Sequence, residues 1–161
     1  MTARQLWGRR AILAGAMLWG VPQAASASDP AAQLDAAGVS YERNAAGHLM
    51  LRMGLQQGRT QMAFVDPESY AVGEAQFRQV WSIGWAADQA PQWETTLRLL
   101  EESHDAPVGG WALQSGDREY LLVYKVQLPA QADLAHLMAA VYCASFAADR
   151  LELSLSGGDE L

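Results

Sequence analysis

Hydrophobic positions along the chain change period several times, and each change marks an element. Ala31 to Ala37 reads as a short helix: Asp29 can cap it, Pro30 suits its first turn, and Gly38 ends it. From His48 the pattern alternates. Leu49, Leu51, Met53 and Leu55 lie on one side and His48, Met50, Arg52 and Gly54 on the other, which predicts a half-buried strand of about eight residues. Gln56-Gln57-Gly58 turns the chain, and Thr60, Met62 and Phe64 alternate with Gln61, Ala63 and Val65 in a second strand. So short a turn predicts an antiparallel hairpin. Asp66-Pro67-Glu68-Ser69 opens a longer connection to a third strand, from about Gln76 to Ala86. Strict alternation there puts Phe77, Trp81, Ile83 and Trp85 on one face and Arg78, Val80, Ser82 and Gly84 on the other.

The period then lengthens. Pro91 starts a helix running to about Ser103, in which Trp93, Leu97, Leu100 and His104 follow the 3.6-residue repeat and Glu94 favours the dipole of the first turn. Pro107 and Gly109-Gly110 stop it. Two strands follow, Trp111 to Ser115 and Glu119 to Leu128, joined at Gly116-Asp117. The last is apolar on both faces, so it belongs inside the sheet. A final helix is expected from about Ala130 to Leu153, with Leu134, Leu137, Met138, Val141, Ser145, Ala148 and Leu151 as its inward stripe, and Asp133, His136, Ala140, Ala147 and Arg150 opposite. The order is αβββαββα. Strands in antiparallel groups with helices between the groups mean an α+β fold, a single antiparallel sheet of about five strands with helices packed on it.

Residues 1–27 stand apart from this pattern. Arg4, Arg9 and Arg10 precede an apolar run from Ala11 to Val21, then Pro22 and the small-residue site Ala25-Ser26-Ala27. That order is a signal peptide, with a mature domain over 28–161. The apolar run spans roughly 16 Å as a helix, about half the hydrocarbon core of a bilayer. Arg9-Arg10 followed by Ala-Ile-Leu is similar to a twin-arginine signal, and the general secretory route is the alternative. The protein is therefore expected in the periplasm of a bacterium or secreted, without a membrane anchor once cleaved.

Charge narrows the partners. The whole chain carries a net −7. Removing the leader's three arginines leaves eight basic against 18 acidic residues, a net charge of −10. Such a surface repels nucleic acid and anionic lipid. Cys143 is the one cysteine, so neither an internal disulfide nor a cysteine-based metal site is available. It sits among apolar neighbours in the last helix and is expected to be buried and quiet.

Three local patterns resemble the YbjN-like family, whose fold is similar to that of type III secretion chaperones. They are the strand-turn-strand Leu49 to Val65 with Gly58-Arg59-Thr60-Gln61, the run Leu99-Leu100 to Pro107-Val108-Gly109-Gly110, and the closing Ala147-Ala148-Asp149-Arg150-Leu151-Glu152 with Gly157-Gly158-Asp159. The resemblance extends over nearly all of residues 28–161. Ser103-His104 stands where the family usually carries Asn. The resemblance implies a chaperone-like or regulatory module that binds a peptide or protein.

Chemistry-bearing motifs point the same way. His48, His104 and His136 fall in different elements. Ser103-His104-Asp105 are adjacent, whereas a triad needs its members converging from separate places. No catalytic residue, metal site or cofactor is expected. Aromatic residues are the best lead: Trp81, Trp85 and Trp111 come from strands, and Tyr120 and Tyr124 from the last strand. Sharing an uncovered sheet face, they would form a platform for an apolar peptide or a second copy of the chain. The alternative function is a carrier that holds a small apolar ligand between sheet and helices.

Overall fold

The computed structural model describes residues 27–116 and 119–156. The expected leader up to Ser26, Asp117 of the last hairpin turn, and the tail from Gly157 lie outside the described residues. Among the described residues the fold is α+β, one antiparallel sheet of seven strands with three α-helices. Its elements are α1 (Pro30–Ala36), β1 (Glu42–Arg43), β2 (Leu49–Gly54), β3 (Thr60–Val65), β4 (Tyr70–Val72), β5 (Ala75–Ala87), α2 (Trp93–Asp105), β6 (Gly110–Ser115), β7 (Tyr120–Pro129) and α3 (Leu134–Ser156). The sheet order is β1-β2-β3-β5-β7-β6, with β4 paired to β5 off that path. The expected five strands and the order αβββαββα are thereby corrected. Both added strands are too short for a hydrophobic period to mark them. β1 is two exposed residues beside β2. β4 folds back on β5 through Gly73 at φ +60°, within the expected long connection.

The β2–β3 hairpin pairs Leu49 with Val65 through to Gly54 with Thr60, as its short turn requires. β7 lies between β5 and β6. One sheet face carries Leu49, Leu51, Ala63, Val65, Val80, Val126 and Leu128, packed against Leu137, Ala140, Val141 and Ala144 of α3 and Leu34 of α1. Ala140 thus belongs to the buried side of α3, not the expected outer one, because α3 lies across three strands and meets the sheet over a wider arc. α3 begins at Leu134, four residues later than expected. Ala130 and Ala132 close a turn on Gln76 and Pro129, and the Asp133 carboxylate then caps the helix by accepting the His136 N–H at 2.9 Å.

α2 runs beside edge strand β6, where the Trp111 N–H donates to Ser103 Oγ at 2.8 Å. Its buried residue is Leu99, set among Leu122 and Leu151. All three helices therefore occupy the same sheet face. The opposite face carries Met50, Met62, Phe64, Trp81 and Ile83, all half-buried. Phe64 and Trp81 stack at 5.6 Å there, and His48 meets Trp81 edge-on at 4.7 Å.

Candidate functional site

The five aromatics chosen from the sequence do not share a face. Trp81 pairs with Lys125 on the uncovered face. Continued alternation would put Trp85 beside it, but the ladder shifts between Ile83, opposite Val123, and Trp85, opposite Leu122. The extra residue is Gly84, and such a bulge inverts the sides of everything after it. Trp85 consequently packs with Leu99, Leu122 and Leu151 beneath the helices. Gly84 is needed at this point: a Cβ there would lie 2.9 Å from Trp111 Cη2 and 3.0 Å from the Ala148 carbonyl oxygen. Trp111 meets Tyr124 edge-on at 5.3 Å, also on the helix side. Tyr120 falls on that same side by alternation with Leu122 and Tyr124, at the outer end of β7. The expected platform of five aromatics is thus split, with Trp81 alone on the open face.

The surface the sequence pointed to less directly is the outside of the helix layer. The 3.6-residue stripe of α2 is real, but it is not the face that packs. Trp93 is 68% exposed, Leu97 42% and Leu100 56%. Leu99 and Ser103 instead face the sheet, and Arg98 and Glu102 turn toward α3, where Arg98 reaches Ser154. On α3, Tyr142 and Phe146 stack at 6.0 Å and are 53% and 41% exposed, with Leu153 continuing the ridge. Two apolar strips therefore flank a charged row on α2, formed by Arg98, Glu102 and Asp105.

A groove of about 470 Å³ opens between the C-terminal half of α2 and α3. Trp111 and Tyr124 form its base, Tyr142, Phe146 and Cys143 its α3 wall, and Glu102 and Asp105 its α2 rim, with Arg150 on the α3 side. The Tyr124 hydroxyl donates to the Val108 carbonyl at 2.7 Å, and Trp111 Nε1–H donates to Glu102 at 3.3 Å. Cys143 is half-buried rather than buried, because it lies at the edge of this groove. Burial pushes its thiol up, opposed by a hydrogen bond with Tyr124. Burial also raises the Tyr124 phenol, and Cys143 adds to the effect.

Two of the sequence patterns quoted above meet behind the α3 ridge. Arg59 pairs with Asp149, and Gln61 Nε2 donates to Glu152 at 3.4 Å. Both carboxylates are buried, four residues after Ser145 and Ala148 of the inward stripe, and the helical period alone does not show which partners they meet. The third pattern serves packing: Gly109, at φ +76°, passes so close to β7 that a Cβ would sit 2.5 Å from the Lys125 carbonyl oxygen. The histidines are dispersed. His48 lies against Trp81, His104 is exposed on α2, and His136 is exposed beside Asp133. Among the described residues no group of three metal-ligating side chains assembles. The chain matches no protein-family model and no curated protein.

Proposed function

We propose that the chain is an exported, non-enzymatic binding module of the YbjN-like, chaperone-related kind, which holds a protein or peptide partner on the outside of its helix layer. The observation that carries this reading is the apolar stripe of α2 turned to solvent. An amphipathic helix on a sheet ordinarily buries that stripe. Here the helix buries Leu99 and presents Trp93, Leu97 and Leu100 instead. Exposed apolar surface of this kind is costly to solubility and marks interaction sites. A polypeptide suits it better than a small apolar ligand, because the two strips lie on an open surface spanning two helices. The negative charge of the chain disfavours nucleic acid. The leader pattern of residues 1–27 supports a meeting with the partner in the periplasm or outside the cell.

Photocrosslinking tests the reading. A photoreactive residue at Leu97 is expected to trap a discrete polypeptide in the exported protein, identifiable by mass spectrometry, while the same residue at exposed Glu68 traps none. Leu100→Glu should abolish trapping from position 97 without changing the thermal midpoint. Trapping of lipid-sized material, or equal yields from both positions, would overturn it. A crosslinked dimer of the chain would identify the partner as a second copy.

A further inference from the structure

We infer that the groove between α2 and α3 receives a basic side chain, a lysine or arginine of the polypeptide partner; this rests on the polypeptide-binding reading above. Three features of the groove favour a cation on an apolar stem, and they are independent of one another. First, its walls are aromatic. Trp111, Tyr142 and Phe146 all line it, and the faces of such rings attract a cation set over them. Second, the α2 rim carries Glu102 and Asp105, three residues apart and so on one side of the helix. Glu102 is already oriented by the Trp111 indole N–H at 3.3 Å, and it shares only a long contact of 3.9 Å with Arg98. Third, α2 ends here, at Asp105, with Ala106 and Pro107 completing the lining. The partial negative charge of a helix C-terminus therefore adds to the two carboxylates.

Arg150 on the opposite rim carries the same sign as the guest. It confines the charged head to the α2 side and leaves the aliphatic stem over Phe146. The apolar strips on either side then fit apolar residues flanking the basic one. The volume of about 470 Å³ lies in the range of pockets that enclose small groups. A second copy of the chain fits less well, since a domain that carries 18 acidic against eight basic residues once the leader is removed opposes itself.

The test uses a blocked Leu-Lys-Leu peptide and its uncharged counterpart with norleucine in place of lysine, titrated into the purified full-length protein by NMR. The reporter is the Trp111 indole N–H resonance, assigned by its loss in Trp111→Phe. The lysine peptide should shift it and bind about tenfold more tightly than the norleucine peptide. Glu102→Gln combined with Asp105→Asn should remove that tenfold preference and leave the norleucine peptide unaffected. Both carboxylates are exposed, so the variant keeps the fold, which its thermal midpoint verifies. Equal binding of the two peptides, or an unchanged preference in the double variant, would overturn the inference. Either result could coexist with trapping of a polypeptide at Leu97, so failure of this inference is separable from failure of the functional reading.

Discussion

Asp149 shows how one residue can decide what a helix faces. Its carboxylate is buried on α3 and paired with Arg59, whose side chain is 19% exposed. Removing one partner of a buried pair leaves the other uncompensated. Because Arg59 keeps some contact with water, Asp149→Ala should cost about 3 kcal/mol, the low end for such a deletion, read from urea denaturation. A loss under ~1 kcal/mol would mean that the pair behaves as a surface ion pair. Cys143 gives a pH-dependent prediction at the same scale. Its thiol is raised by burial, so the folded state favours the neutral form. That preference is fully present below the ordinary thiol pKa and is lost as the pH rises through the raised value. Alkylation of the native protein should therefore be slow at neutral pH and accelerate only above the pH at which a free thiol does. Rapid labelling at neutral pH would contradict the environment described.

Among the elements, β5 and α3 make the sharpest contrasts. Trp81 and Trp85 are four residues apart on one strand yet lie on opposite faces of the sheet. Trp85→Ala should destabilise by ~3–5 kcal/mol, the cost of truncating a large core aromatic. Trp81→Ala should cost only about 1–2 kcal/mol, the area it covers together with its ring contacts. Similar losses for both would mean that the bulge at Gly84 does not separate them. At the start of α3, the His136 N–H donates to Asp133 and is the main reason that this carboxyl lies below its usual range. A carboxyl lowered by folding favours the fold above its unfolded pKa, and the benefit disappears as pH falls through the folded value. Acidification should lower the protection factor of the His136 amide, the observed exchange corrected for its intrinsic pH dependence, and Asp133→Asn, which still caps, should make that protection factor insensitive to pH in the carboxylate range.

At the level of the whole molecule, the proposed export depends on how the fold begins. Ser28, expected to follow the cleavage, is held in place: its N–H donates to the Ala130 carbonyl at 2.9 Å, and Arg78 Nη2 donates to its carbonyl at 2.7 Å. Arg78 is a buried cation that gathers carbonyls from Ser28, Pro67 and Ala130, joining the segment before α1 to two loops. N-terminal sequencing of the exported protein should begin at Ser28. Protein recovered only in the cytoplasm with Met1 intact would overturn the reading of the leader.

Much of this fold was legible in one dimension. The alternations at Leu49–Val65 and Gln76–Ala86, the 3.6 period of the last helix and the short turn at Gln56-Gln57-Gly58 are local consequences of backbone geometry, which repeats every few residues and so leaves its mark on side-chain order. The α+β class followed from the order of those segments. What the sequence could not reveal depends on contacts between distant segments. A bulge depends on how two strands align, so the reversal of Trp85 appears only with β7 alongside. An amphipathic stripe has a direction only relative to a neighbour, and α2 obeys its period while turning that stripe away, because Leu99 and Ser103 fit the edge of β6 and the flank of α3. Asp149 and Glu152 fall on or beside the inward stripe of α3, but their partners Arg59 and Gln61, which make that burial tolerable, appear only when α3 meets β3. The groove at Trp111 and Glu102 exists only between three elements, and no spacing along the chain encodes it.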